Sequence, residues 1–112
     1  MELVTDRVNG ILVAEAWFRV DGTNARDFEN TLKEAIDESH QGMIIDCEHL
    51  SYISSAGLRA ILLIAKTLKR RKMDFAICFL AEPIREVFEI SGFDKIIAIY
   101  NSRADALAAI GG

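Results

Sequence analysis

The chain has 112 residues, 51% hydrophobic and 27% charged, with 13 basic and 17 acidic side chains for a formal net charge of −4. That much apolar surface supports one packed core and excludes a disordered chain, so residues 1–112 read as a single domain. The acidic balance argues against direct nucleic-acid binding, which needs a concentrated basic face, and no apolar run approaches the roughly 18 residues of a membrane span. The opening "MELVTDR" is no secretory leader, and two widely spaced cysteines inside apolar runs point to reduced thiols and a cytoplasmic setting.

Two strand-like runs at about 2–8 and 11–18 flank Asn9-Gly10, a strong hairpin signal. "VDGTNA" (20–25) supplies turn residues and a helix start, with Thr23 or Asn24 as N-cap and Asp27 in the first turn. Phe28, Leu32, Ala35 and Ile36 recur at helical spacing to about Ser39, and Gly42 closes the unit. "MIID" (43–46) suits a strand buried on both faces, and residues 48–54 read as a loop.

The next helix has an apolar set of Leu58, Ile61, Leu62, Ala65 and Leu68, with Arg59, Lys66, Lys69 and Arg70 opposite. The basic cluster Lys66 to Lys72 is the solvated end of that helix. "DFAICFL" (74–80) is another buried strand, and Pro83, at N1, opens a short helix with Ile84, Val87 and Phe88 inward. "KIIAIY" (95–100) is a fifth strand, and Ser102 with Asp105 begins a last helix. The order β-β-α-β-α-β-α-β-α predicts a mixed, mostly parallel sheet. Its carboxyl-end loops, including 19–24, 48–55 and 80–83, then share one rim, so Asp21 and the "SSAG" turn (54–57) fall on the same side.

Enzyme motifs are missing. Position 53 is Ile where GxSxG needs Gly, and neither His40 nor His49 lies downstream of the serines as a base. The glycines of a P-loop or GxGxxG are absent, and neither histidine has a metal-ligand spacing to a partner. We therefore expect no catalysis, cofactor or metal. Asp46 and Glu48 read equally as strand-end solvation or as an acid–base pair. What remains is Ser54 and Ser55. One serine suffices to cap the helix, and Ser54 is well placed for it. Ser55 then stands at the helix mouth with a free hydroxyl, where a phosphate is tolerated by the amides and the positive end of the dipole. A charge so placed repels a partner without unfolding the domain.

From "RVDGTNARDFENTL" through "MIIDCEHLSYISSAGLRAILLIAKTLKRRKMDFAICFL" to "PIREVFEISGFDKIIAIYNSRADAL", the chain resembles STAS domains over essentially its whole length. In particular it resembles stand-alone bacterial anti-sigma factor antagonists of partner-switching systems. The resemblance implies a five-stranded mixed sheet with about four helices packed mainly on one face. It also implies that the unphosphorylated protein binds an anti-sigma factor that is a serine kinase, which releases the sigma factor. Phosphorylation by that kinase ends binding, and a serine phosphatase resets it.

In the family's D-S-S-G-L-G pattern the acceptor lies two residues before the glycine, which is Ser55 here, with Ser54 as the alternative. Asp21 matches an acid of the pattern, and the implied partner surface takes in Asp21, Thr23, Asn24, Ser54, Ser55, Ala56, Gly57 and Arg59. Three positions depart from the pattern: Ser54 stands for Asp, Ala56 for Ser and Arg59 for Gly. Arg59 either pairs with a phosphate on Ser55 or solvates the helix. Phe18 replaces a common glycine; strand alternation predicts that it and Trp17 face opposite ways, half-buried or with one as a partner contact. The alternative function is an unphosphorylated STAS scaffold, a subunit of a transporter or signalling assembly.

Overall fold

A computed structural model describes residues 3–110. The elements follow the expected order: β1 (Val4–Val8), β2 (Ile11–Val20), α1 (Ala25–Ala35), β3 (Gly42–Ile53), α2 (Ser55–Arg70), β4 (Asp74–Cys78), α3 (Glu82–Ile90), β5 (Ala98–Tyr100) and α4 (Arg103–Ile110). A 3₁₀ turn at Phe93–Lys95 precedes β5. The sheet runs β1-β2-β3-β4-β5 in space. Only the β1–β2 hairpin is antiparallel, and the remaining neighbours are parallel. Asn9 and Gly10 both have positive φ, 52° and 82°, as the tight two-residue turn between twisted strands demands.

Helices α1, α2 and α3 bury Phe28, Leu32, Ile61, Ile64, Leu68, Ile84 and Phe88 against Leu12, Ala14, Met43, Ile45 and Ile77 of one sheet face. On the other face α4 seats Ala106 over Ile11, Val13, Ile44, Ala76 and Cys78. Central strands covered on both sides explain why β3 and β4 are continuously apolar where they lie under both layers. Cys47 and Cys78 are both buried free thiols. Burial pushes the Cys47 thiol up strongly and the Cys78 thiol up to about 12.

Several boundaries depart from the sequence pattern. Helix α1 stops at Ala35 because Ile36 is extended (φ −86°, ψ 135°) and a compact polar turn follows. In that turn Asp37 Oδ1 accepts the Ser39 N–H at 2.8 Å, and His40 Nδ1 accepts the Asp37 N–H at 3.1 Å. Pro83 is the second residue of α3, not the first. Val87 is 37% exposed rather than inward. On α2, Leu62 is only half-buried, and Ile64 takes the core position instead. Strand β4 ends at Cys78, where Phe79 turns into the left-handed region at φ 60°.

The largest difference is β3. Residues 48–53, expected as loop, continue the strand and pair with the end of β2, through Trp17–His49, Phe18–Leu50, Arg19–Tyr52 and Val20–Ile53. Two bulges interrupt the ladder, between Glu15 and Trp17 and between Phe18 and Arg19, each placing an extra residue on β3. Strand β1 pairs only as far as Glu15, and β4 only as far as Asp46. The ends of β2 and β3 therefore form a two-stranded parallel ribbon reaching beyond the rest of the sheet.

Candidate functional site at the carboxyl rim of the sheet

Val20 and Ile53 are the last paired residues of adjacent parallel strands, so Asp21 and Ser54 leave the sheet side by side. The two segments are tied directly: the Ser54 N–H donates to the Val20 carbonyl at 2.9 Å. The rim shared by Asp21 and the serine turn is thus a consequence of parallel pairing.

Ser54 is the N-cap of α2. Its backbone is extended (φ −91°, ψ 175°), and its Oγ accepts the Gly57 N–H at 3.2 Å. Its carbonyl accepts the Leu58 N–H at 2.9 Å, the first full helical bond. Ser55 follows as the first helical residue and is exposed. Ala56 is half-buried against the core, and Gly57 is buried. A Cβ on Gly57 would stand 2.6 Å from the Val20 carbonyl oxygen and 2.7 Å from Ile53 Cγ1, so only glycine lets α2 start this close to the strand ends. Arg59, one turn beyond Ser55, is exposed and makes no ion pair among the described residues.

Asp21 organises the opposite loop. Its Oδ1 accepts the Thr23 N–H at 2.9 Å and the Thr23 hydroxyl at 2.5 Å, and Arg19 Nε donates to Oδ2 at 2.6 Å. The Thr23 bonds, reinforced by the Arg19 cation, hold the carboxyl below the usual carboxylate range. Neither Thr23 nor Asn24 caps α1 in the expected manner. Asn24 occupies the N-cap position, but its Oδ1 accepts the Asp21 N–H at 2.8 Å and its Nδ2 donates to the Arg19 carbonyl at 2.9 Å. The Asp21 carbonyl meanwhile accepts the Asn24 and Ala25 N–H groups at 3.2 and 2.8 Å. The loop is thus locked by its own side chains, holding an Arg19-paired carboxylate next to the strand end that leads into Ser54.

Beneath the rim, on the α4 face, Arg103 clamps the buried Asp46 through Nε (3.0 Å) and Nη2 (2.8 Å), with Glu15 Oε2 at 3.5 Å. Asp46 Oδ1 accepts the Glu48 N–H at 3.0 Å. Both Asp46 oxygens are therefore engaged, and the group pins α4 to the sheet rather than offering an acid or base.

The sequence left Trp17 and Phe18 as half-buried strand residues or one partner contact, and the structure exposes both on the ribbon. Trp17 stacks on His49 at 3.9 Å between ring centroids, and Phe18 meets Trp17 edge-on at 5.8 Å. Arg19 lies over Tyr52 at 4.9 Å. Trp17 and Phe18 do not alternate in and out: Phe18 has φ 60°, which breaks the pleat and leaves both rings exposed. A bulky residue at a glycine position was the available signal. The bulges that make use of it leave no mark in the pattern.

Residues 2–106 match the STAS domain family model. A relative from Bordetella bronchiseptica, named "Putative anti-sigma factor antagonist BtrV", is 41% identical over 97% of this chain and 94% of its own length. The chain therefore belongs to the STAS domain family. Among solved structures, an anti-sigma factor antagonist from Mycobacterium paratuberculosis superimposes with a TM-score of 0.88 at 20% identity, over 99% of this chain and 94% of that one. The Bacillus cell fate determinant SpoIIAA in its phosphorylated form gives 0.73 at 16%, over 97% and 99%. The likeness is one of fold, which in this chain is a five-stranded mixed sheet with three helices on one face and the fourth on the other.

Proposed function

We propose that this protein is an anti-sigma factor antagonist, a binding module whose grip on an anti-sigma factor is switched by phosphorylation of Ser55. The observation that carries the reading is the division of labour at the start of α2. Ser54 spends its oxygen on the Gly57 amide, while the next hydroxyl, on Ser55, is exposed beside the fixed Asp21 loop. The relative from Bordetella bronchiseptica, alike over nearly the whole of both chains, supports the antagonist assignment.

In its unphosphorylated state the rim of Asp21, Thr23, Asn24 and residues 54–57 with Arg59 binds the anti-sigma factor, freeing the sigma factor. The anti-sigma factor acts as a serine kinase on the bound antagonist. Ser55 Oγ attacks the γ-phosphorus of ATP, the bond to the departing ADP breaks, and the hydroxyl proton passes to a base of the kinase. This chain contributes a positioned nucleophile and no catalytic group. The product carries close to two negative charges at a helix N-terminus, where amides and dipole favour them, and Arg59 lies within the next turn. The domain stays folded while the rim becomes strongly anionic next to Asp21, so a partner packed there is repelled. A serine phosphatase restores binding.

The test pairs affinity with stability. Ser55→Asp should bind the anti-sigma kinase at least tenfold more weakly while unfolding within about 1 kcal/mol of wild type. Tight binding by that variant contradicts the switch, and a partly unfolded variant contradicts the preformed rim. An unmodified Ser55 after incubation with active kinase would favour the scaffold role instead.

A further inference from the structure

We propose that Trp17 and Phe18, on the protruding end of the β2–β3 ribbon, are the apolar anchor through which the same anti-sigma partner is gripped. This inference rests on the antagonist reading above. Trp17 is 41% exposed, Phe18 70% and Tyr52 48%. Single exposed apolar residues are ordinary on a protein surface, but Trp17 meets Phe18 edge-on and stacks on His49, so these three rings form one patch.

Phe18 is the most telling member. An aromatic residue at φ 60° is held where its Cβ crowds the backbone, and only glycine accepts that conformation freely. Strain of this kind persists in native proteins when something else gains from it. The core gains little: the ring stays mostly in solvent, edge-on to the exposed Trp17. The bulge re-aims the ring outward, and the Ser51 hydroxyl fixes the bulge by donating to the Phe18 carbonyl at 2.7 Å.

The occupant follows from two further observations. First, the patch is continuous with the serine rim through a single side chain. Arg19, which follows Phe18 directly on β2, bonds Asp21 at 2.6 Å, so a surface seated on the Asp21 loop meets Phe18 and Trp17 next along the strand. Second, the charged side chains that flank Trp17 on β2 are paired. Arg19 is neutralised by Asp21; Glu15 is engaged by Arg103 and by the Trp17 indole N–H at 3.0 Å. Recognition there is by ring faces and edges, and the matching surface is an apolar pocket on the anti-sigma factor. Large, rigid aromatic side chains are the usual anchors of such contacts. The two halves of the interface then have separate tasks. The ribbon supplies affinity that tolerates salt, and the serine rim supplies the charge-sensitive switch.

The experiment measures binding of purified anti-sigma kinase from the protein's own organism to wild type, Phe18→Gly, Trp17→Ala and Ser55→Asp by calorimetry, beside thermal melts and sedimentation. Phe18→Gly should bind at least tenfold more weakly yet melt no lower than wild type, because glycine relieves the left-handed backbone. Its loss of affinity should persist at high salt, where that of Ser55→Asp shrinks. Binding of Phe18→Gly equal to wild type overturns the anchor, as does a lower melting temperature that exposes the ring as part of the core. Should Phe18→Gly weaken binding while Ser55→Asp does not, the anchor stands and the phosphorylation switch falls. Wild type failing to bind the kinase overturns both. Self-association of wild type that Phe18→Gly abolishes would assign the patch to a second copy of the chain and overturn the partner named here.

Discussion

Replacing Gly57 by Ala tests how tightly the start of α2 is seated on the strand ends. Inside a helix Ala is favoured over Gly by about 1 kcal/mol, so propensity alone predicts a gain in stability. Packing predicts the reverse. The new Cβ would lie 2.6 Å from the Val20 carbonyl oxygen, 2.7 Å from Ile53 Cγ1 and 3.1 Å from Val20 Cγ1. Two of these obstacles are on branched side chains buried in the core, and the third is backbone. That carbonyl is also the acceptor for the Ser54 N–H at 2.9 Å, so moving it away from the Cβ strains a bond with a net value of about 1 kcal/mol. Overpacking of this kind costs roughly 1–3 kcal/mol. With the strained bond added and the propensity gain subtracted, Gly57→Ala should lose about 1–3 kcal/mol. Urea titration with far-UV circular dichroism reads that loss, and labelling by the kinase should slow because Ser54 and Ser55 are displaced with the helix. A variant as stable as wild type or more so, labelled at the normal rate, would show that helix propensity outweighs the contact and refute the packing account of the "SSAG" glycine.

Ile64→Ala should cost roughly 2–5 kcal/mol as a buried truncation, and the neighbouring substitution at half-buried Leu62 should cost distinctly less; denaturant midpoints of the two compare them directly. Cys47 and Cys78 should not react with a thiol reagent at pH 8 in the folded protein, since burial raises both, and both should react once the chain is unfolded in denaturant. Asp21 should titrate below the ordinary aspartate range in a carboxyl-detected NMR experiment, because it accepts the Thr23 bonds and pairs with Arg19. A depressed carboxyl contributes stability above its unfolded value of about 3.9 and loses it as pH falls through the folded value. Asp21→Asn should therefore flatten the decline of stability below about pH 4 and leave the neutral plateau's pH dependence unchanged.

The alternation of strands and helices, the Asn9-Gly10 turn and the apolar helix faces were legible because each is set by local propensity and periodicity. The placement of Asp21 beside Ser54 was legible too, as a consequence of parallel pairing rather than of any motif. The ribbon was not. "EHLSYIS" (48–54) is polar enough to read as a loop, because beyond Asp46 the strand loses β4 as a neighbour and has only one face to bury. The bulges around Ser51 and the left-handed Phe18 are tertiary choices that no spacing records. Thr23 and Asn24 are equally instructive. Their types fit a helix cap, yet the Asp21 N–H takes the Asn24 Oδ1, and the Thr23 hydroxyl is turned to donate to the Asp21 carboxylate. Leu62 and Val87 lie at the margins of their apolar stripes, where periodicity alone cannot fix the depth of burial.

The division between a capping Ser54 and an exposed Ser55 is tested most directly by mapping phosphate after incubation with the anti-sigma kinase and ATP, in wild type, Ser54→Ala and Ser55→Ala. One phosphate is expected on Ser55 in wild type, none on Ser55→Ala, and continued labelling of Ser54→Ala despite about 1 kcal/mol lost with the cap. Phosphate on Ser54 in wild type, or undiminished labelling of Ser55→Ala, would contradict it.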